Sequence, residues 1–136
     1  MKRFVIDASV AIQLATDRPL VPADRILLAP TLIRSQALAL VYTSVREGER
    51  DQRTAKTILD GIRAMRIRLL GDRVLQGLAW DVAGKLGLPD TYQAEYIALT
   101  QLQADALVTS DQEFAKAAGN LVKVLSLTEL LRLLEA

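Results

Sequence analysis

The residues able to do chemistry in this chain are few, and their types narrow the field. There is no cysteine and no histidine. Their absence removes disulfides, thiolate zinc sites, thiol nucleophiles and the commonest general base and transition-metal ligand. What remains is oxygen chemistry. A lone carboxylate, Asp7, closes the apolar run Phe4-Val5-Ile6, and the hydroxyl of Ser9 follows two residues later. A second lone carboxylate, Asp111, follows the run Ala106-Leu107-Val108-Thr109 and Ser110. Two carboxylates and a serine suit a hard cation, Mg²⁺ or Mn²⁺ rather than Zn²⁺, because Mg²⁺ commonly takes one or two carboxylates plus waters and substrate phosphates. That donor set points to phosphodiester or phosphoryl chemistry by a metal-activated water. No glycine-rich phosphate loop is present, which argues against a nucleotide-binding enzyme.

These side chains need elements to hold them. Phe4-Val5-Ile6 reads as a short buried strand, followed by a tight turn and a helix with Ser9 near its N-cap. Taken alone, Asp7 at that turn reads as a helix cap; the carboxylate that follows the later apolar run raises it above that. The stretch 16–24 is a loop by its prolines and charges, and 25–29 is a second strand stopped by Pro30. A helix is predicted over 31–47, with Leu32, Ile33, Gln36, Leu40 and Thr43 along one face and Gly48 as the stop. Gln36 is polar inside that stripe, as hydrogen-bonded core or interface glutamines are. A further helix covers 51–64 and a third strand, at an edge, covers 65–70. Asp72 suits the N-cap of a helix running to Lys85, with Gly87 beyond it. Asp90 or Thr91 caps the helix 92–103. The fourth strand, 106–109, is the most apolar, the fifth is 121–125, and a short helix over 112–118 joins them. Ser126 and Glu129 form a capping box for the last helix.

Strands alternating with helices predict an α/β fold: one domain over 1–136, a parallel sheet of four to five strands, helices on both faces. All strand C-termini then lie along one edge. Asp7 and Asp111 meet in one crevice if strands one and four are neighbours. Gln36 and the Asp90/Gln93 pair come within reach of it. Glu95 points away as a solvated carboxylate, and Asp105 lies at the opposite end of the sheet.

Composition adds limits. There are 17 basic and 16 acidic residues, so bulk charge names no partner. The 51% apolar content allows an apolar partner-facing surface, and the faces of helices 31–47 and 51–64 suggest a homodimer or a bound partner helix. No apolar stretch is long enough to span a membrane and no signal-peptide plan opens the chain, so the expected location is the cytoplasm. Arg63, Arg66, Arg68 and Arg73 could meet RNA phosphates, although such a run is more often a solvated face and lacks interleaved aromatics.

Four segments together resemble a known family. They are Val5-Ile6-Asp7-Ala8-Ser9-Val10, Leu28-Ala29-Pro30-Thr31-Leu32, Asp90-Thr91-Tyr92-Gln93-Ala94-Glu95-Tyr96-Ile97-Ala98-Leu99 and Ala106-Leu107-Val108-Thr109-Ser110-Asp111. Their order and spacing resemble PIN domains, and among those the VapC-type toxins of bacterial toxin–antitoxin pairs. The resemblance covers essentially the whole chain. It implies a Mg²⁺- or Mn²⁺-dependent endoribonuclease, usually dimeric, blocked by an antitoxin that occupies an apolar groove and the active site. It also implies four pocket acids. Asp7 and Asp111 match two, and Ser9 matches the usual hydroxyl. The other two positions hold Gln36 and Gln93, which cannot ionise. Asp90 is within reach of the vacated position, though its spacing also suits an N-cap.

Three readings therefore stay open. One is a ribonuclease with a thinned acid set and weak cation binding, in which Asp7 and Asp111 bind the metal and Ser9 orients water or phosphate. Another is a non-enzymatic PIN module that binds an antitoxin-like protein or RNA. The third is a structural dimerisation domain.

Overall fold

The computed structural model describes residues 1–135. Five strands form one parallel sheet: β1 (Arg3–Ile6), β2 (Ile26–Pro30), β3 (Ile67–Leu70), β4 (Ala106–Val108) and β5 (Val124–Leu125). Their order across the sheet is β3-β2-β1-β4-β5. Between them run α1 (Ala8–Asp17), α2 (Ile33–Arg46), α3 (Gln52–Ala64), α4 (Arg73–Leu86), α5 (Tyr92–Gln103), α6 (Gln112–Ala118) and α7 (Leu127–Glu135). This is the predicted α/β architecture.

The central strands read as continuous apolar runs because both of their faces are covered. Phe4, Val5, Ile6, Leu107 and Val108 have no solvent exposure. Two groups of helices provide the cover. α1, α2 and α3 pack on one another, with Ile12, Val41, Ala55 and Ile58 buried among them. α4 pairs with α5, which lies against β1, β2 and β4.

The chain lays down β1, β2 and β3 in one direction and then crosses back to add β4 and β5 on the other side of β1. The gap between β1 and β4 is therefore the topological switch point, the place where ligands bind in open parallel sheets. The register pairs Phe4 with Ala106, Val5 with Leu107 and Ile6 with Val108. One step beyond that ladder, Asp7 and Thr109 face each other.

Most boundaries follow the sequence, and the departures have local causes. The N-cap of α1 is Asp7, as its place at the turn allowed, with Ser9 two residues on inside the first turn; the Asp7 Oδ1 accepts from the Val10 N–H at 3.0 Å. Pro30 closes β2 rather than stopping the chain before it, since a proline at the last position removes only one ladder donor. The predicted face of α2 was out of phase. Ile33, Ala37, Val41 and Ser44 are buried, whereas Leu40 and Thr43 face solvent. Small side chains, Ala37 and Ser44, form much of the buried face, so hydropathy alone does not mark it. β3 is an edge strand as expected, and β5 is only two residues long. The capping box holds: Ser126 N–H donates to Glu129 Oε1 at 3.0 Å and Glu129 N–H to Ser126 Oγ at 3.1 Å. Gly87, at φ 65°, ends α4 in the left-handed conformation that glycine adopts without steric cost.

Candidate active site

Asp7 leaves the end of β1 and Asp111 follows β4 three residues beyond the pair that Ile6 makes with Val108. Each caps a helix. Asp111 Oδ1 accepts from Phe114 N–H at 3.1 Å, as Asp7 Oδ1 does from Val10. Thr109 joins them. Its hydroxyl donates to Asp7 Oδ2 and accepts from Asp111 N–H at 3.1 Å. This threonine is 4% exposed.

A cavity of about 350 Å³ opens over this pair. Its wall includes Asp7, Ser9, Gln36, Gln93, Tyr96 and Asp111. Five of the side chains singled out in the sequence are thus in one place. A larger cavity, about 730 Å³, lies between α2, α3 and β3, but no carboxylate lines it. The smaller one holds the oxygen chemistry.

Electrostatics within the cavity follow burial. Burial pushes the Asp7 carboxyl above the ordinary aspartate range, and the Asp111 charge adds to this. Hydrogen bonds from Thr109 and Val10 oppose the shift. Tyr96 is raised far above the ordinary phenol range by burial, then by the charges of Asp7 and Glu95, so it stays neutral. Its hydroxyl donates to Gln36 Oε1 at 2.6 Å. That oxygen keeps a second lone pair, and the amide NH₂ adds two donors.

Whether these residues fit a divalent cation can be judged from the donors. Among the described residues no group of three or more histidine, cysteine, aspartate or glutamate side chains could hold a metal ion. Two carboxylates are the number Mg²⁺ commonly takes from a protein. Capping and the Thr109 bond leave lone pairs on both, since an ionised carboxylate offers about four. The set fits one hard cation, at the low end of charge.

No protein-family model matches the sequence, and no curated protein matches it significantly. Solved structures do match. PAE2754 from Pyrobaculum aerophilum is 23% identical, with a TM-score of 0.70 over 98% of this chain and 97% of that one. VapBC2 from Rickettsia felis, bound to a DNA fragment from its promoter, is 13% identical, with a TM-score of 0.62 over 91% of this chain and 98% of that one. VapBC-1 from nontypeable Haemophilus influenzae is 14% identical, with a TM-score of 0.60 over 93% of this chain and 98% of that one. The chain has a PIN-like fold.

Within the PIN-like fold, the remaining candidates fall outside the cavity. Asp90 does not line it; its Oδ1 accepts from Tyr92 N–H at 3.1 Å at the start of α5. Glu95 is also absent from the wall, but it is not fully solvated. It is half-buried, and burial raises its pKa. Asp105 lies at the opposite sheet edge, as expected, where Oδ2 accepts from Lys2 and Arg3 N–H at 2.9 and 3.0 Å. Two residues of the site escaped the sequence reading, Thr109 and Tyr96. Thr109 had a signal: once strands one and four pair, it is the polar residue that must face Asp7. Tyr96 sits three residues after Gln93, one helical turn on, where a polar tip can share its cavity. Among the described residues no helix is long and apolar enough to cross a membrane.

Proposed function

We propose that this chain is a VapC-type PIN-domain protein, a single domain over 1–136, that cleaves RNA phosphodiesters slowly with Mg²⁺ or Mn²⁺ and pairs with an antitoxin-like protein in the cytoplasm. The observation that carries this reading is the meeting of Asp7, Asp111, Ser9, Gln36 and Gln93 in one cavity at the β1–β4 switch point. The likeness to two VapBC structures supports the antitoxin partner. Exposed Leu38, Leu40 and Tyr42 on α2 support an associated chain, a second copy or the partner.

Asp7 and Asp111 would hold the cation from the two central strands. Bound there, it would polarise the phosphodiester and lower the pKa of a water. Thr109 fixes the Asp7 carboxylate by its hydrogen bond. Ser9 and the Gln36 and Gln93 amides line the same cavity, where Ser9 would orient a water or phosphate and the amides would hold outer-shell waters. Tyr96, neutral and buried, holds the Gln36 amide in orientation.

A second reading is favoured by the same cavity: with two neutral amides and two acids that also serve as caps, the domain acts by binding an antitoxin-like protein or RNA without cleaving it. One experiment separates the two. Cleavage of a mixed RNA pool is measured with Mg²⁺ and Mn²⁺ for the natural chain, for Gln36→Glu with Gln93→Asp, and for that double variant carrying Asp7→Asn. Slow cleavage in the first, a clear gain with tighter Mn²⁺ binding in the second and loss in the third are expected. Each removed charge weakens the attraction for a hard cation. Strong cleavage by the natural chain that survives Asp7→Asn would refute the site. No cleavage by any form would leave the binding reading.

A further inference from the structure

A third cavity, of about 530 Å³, opens at the sheet edge opposite Asp7 and Asp111, where β2 and β3 begin. Three arginines line it: Arg25 just before β2, Arg66 just before β3, and Arg68 within β3. Val21, Ile26 and Met65 provide apolar lining. Period-two alternation explains how one short segment builds it. Arg66 and Arg68 line this cavity, while Ile67 and Leu69 line the larger apolar cavity beside α2 and α3. Arg25 pairs with Asp24 at 2.8 Å. Arg66 and Arg68 have no acidic partner among the described residues.

We propose that this cavity is an anion site that takes a phosphate-bearing ligand of nucleotide size. The volume falls within the range of small-molecule pockets, roughly 300–1,000 Å³. Guanidinium groups recognise phosphate through paired N–H donors and stack on planar rings. The phosphate sits between Arg66 and Arg68, and the base lies on the Val21, Ile26 and Met65 wall. With no glycine-rich loop in the chain, side chains rather than backbone N–H groups hold the anion. Charges on an edge strand also deter strand-to-strand aggregation, but that role needs neither a cavity nor an apolar wall. The site shares no residue with the Asp7 cavity, so it stands or falls separately from RNA cleavage.

The test is titration of the ¹⁵N-labelled protein with adenosine monophosphate, inorganic phosphate, adenosine and a short RNA, followed by amide chemical shifts. The nucleotide should shift residues 21–27 and 64–68, weakening as salt rises. Adenosine alone should shift none of them. Arg66→Gln with Arg68→Gln should lower the affinity about tenfold or more, as loss of charge-assisted hydrogen bonds does. Both side chains are exposed, so that variant should keep the native spectrum elsewhere. The source of the phosphate follows from the two arms: tighter binding of RNA through the same residues assigns it to a nucleic-acid backbone, and equal binding of the mononucleotide assigns it to a free nucleotide. No shift at these residues at millimolar nucleotide, equal binding by adenosine, or unchanged affinity in the double variant would overturn the proposal.

Discussion

Thr109→Val is the substitution that asks most of the site. The side chain is buried and β-branched, so valine keeps its shape and removes only the hydroxyl. Two bonds go with it: the donation to Asp7 Oδ2 and the acceptance from Asp111 N–H. A hydrogen bond to a charged group is worth about 1.5–3 kcal/mol. Asp111 is exposed, so water can replace its lost partner and most of the cost falls on Asp7. The expected loss is therefore about 2 kcal/mol at neutral pH. For a chain of 136 residues, 1 kcal/mol shifts the melting temperature by about 3–4 °C, so the drop should be about 7 °C.

The pH dependence gives the sharper check. Burial raises the Asp7 pKa in the folded state, so the fold binds this proton more tightly than the unfolded chain does. Stability from this group is then fully present below the ordinary aspartate pKa and is lost as pH rises through the raised one. Thr109 holds that raised value down, and valine releases it. The gap between the natural chain and Thr109→Val should grow as pH rises through the window and level off above it. Urea unfolding of the natural chain, Thr109→Val and Thr109→Ser at about pH 4 and about pH 8 measures this. Serine keeps the hydroxyl and should stay near the natural chain. A valine variant as stable as the natural protein at the higher pH, or equally weakened at both, would show that the Thr109–Asp7 bond does not stabilise the ionised carboxylate.

Asp7→Asn should melt at a higher temperature than the natural chain at pH 8 and converge with it at low pH, because asparagine caps as well as aspartate and carries no buried charge. Each unit by which burial raises the aspartate pKa corresponds to about 1.4 kcal/mol, which calorimetry across the pH window can read. Arg18→Gly should stabilise by about 1 kcal/mol, since Arg18 ends α1 in the left-handed region at φ 50°, where glycine has no Cβ penalty. A denaturant midpoint that falls instead would mean that its 3.5 Å contact with the Thr57 carbonyl outweighs the strain.

How much was legible depended on how local the signal was. The runs Phe4-Val5-Ile6 and Ala106-Leu107-Val108 name themselves, because strand segments buried on both faces carry apolar side chains throughout. Asp72, Gly87, Ser126 and Glu129 read correctly because a cap is set by a few neighbouring residues. The phase of α2 was not legible, because Ala37, Val41 and Ser44 are chosen by the helices they meet rather than by hydropathy. In the cavity, Asp7, Asp111, Gln36 and Gln93 could be placed once the strands were ordered. Thr109 and Tyr96 are known from a register and a hydrogen bond, and both depend on tertiary neighbours.

The caps also decide how the acid set should be weighed. Asp7 and Asp111 each satisfy a helix N-terminus, and such a cap contributes about 1 kcal/mol whether or not a cation ever binds. Gln36 and Gln93 cap nothing; Gln36 meets Tyr96 through an oxygen that a glutamate would also offer. The fold therefore has its own use for the two acids that are present and none for acids at the two glutamine positions. Presence of Asp7 and Asp111 is weaker support for catalysis than it looks, because a binding module of the same fold could use them as caps too. Asparagine at Asp7 separates the roles, since it keeps the cap and removes the charge. If Asp7→Asn folds more stably and also loses cation-dependent cleavage, the carboxylate is held ionised against the interest of the fold, and the chemistry is the reason for its charge.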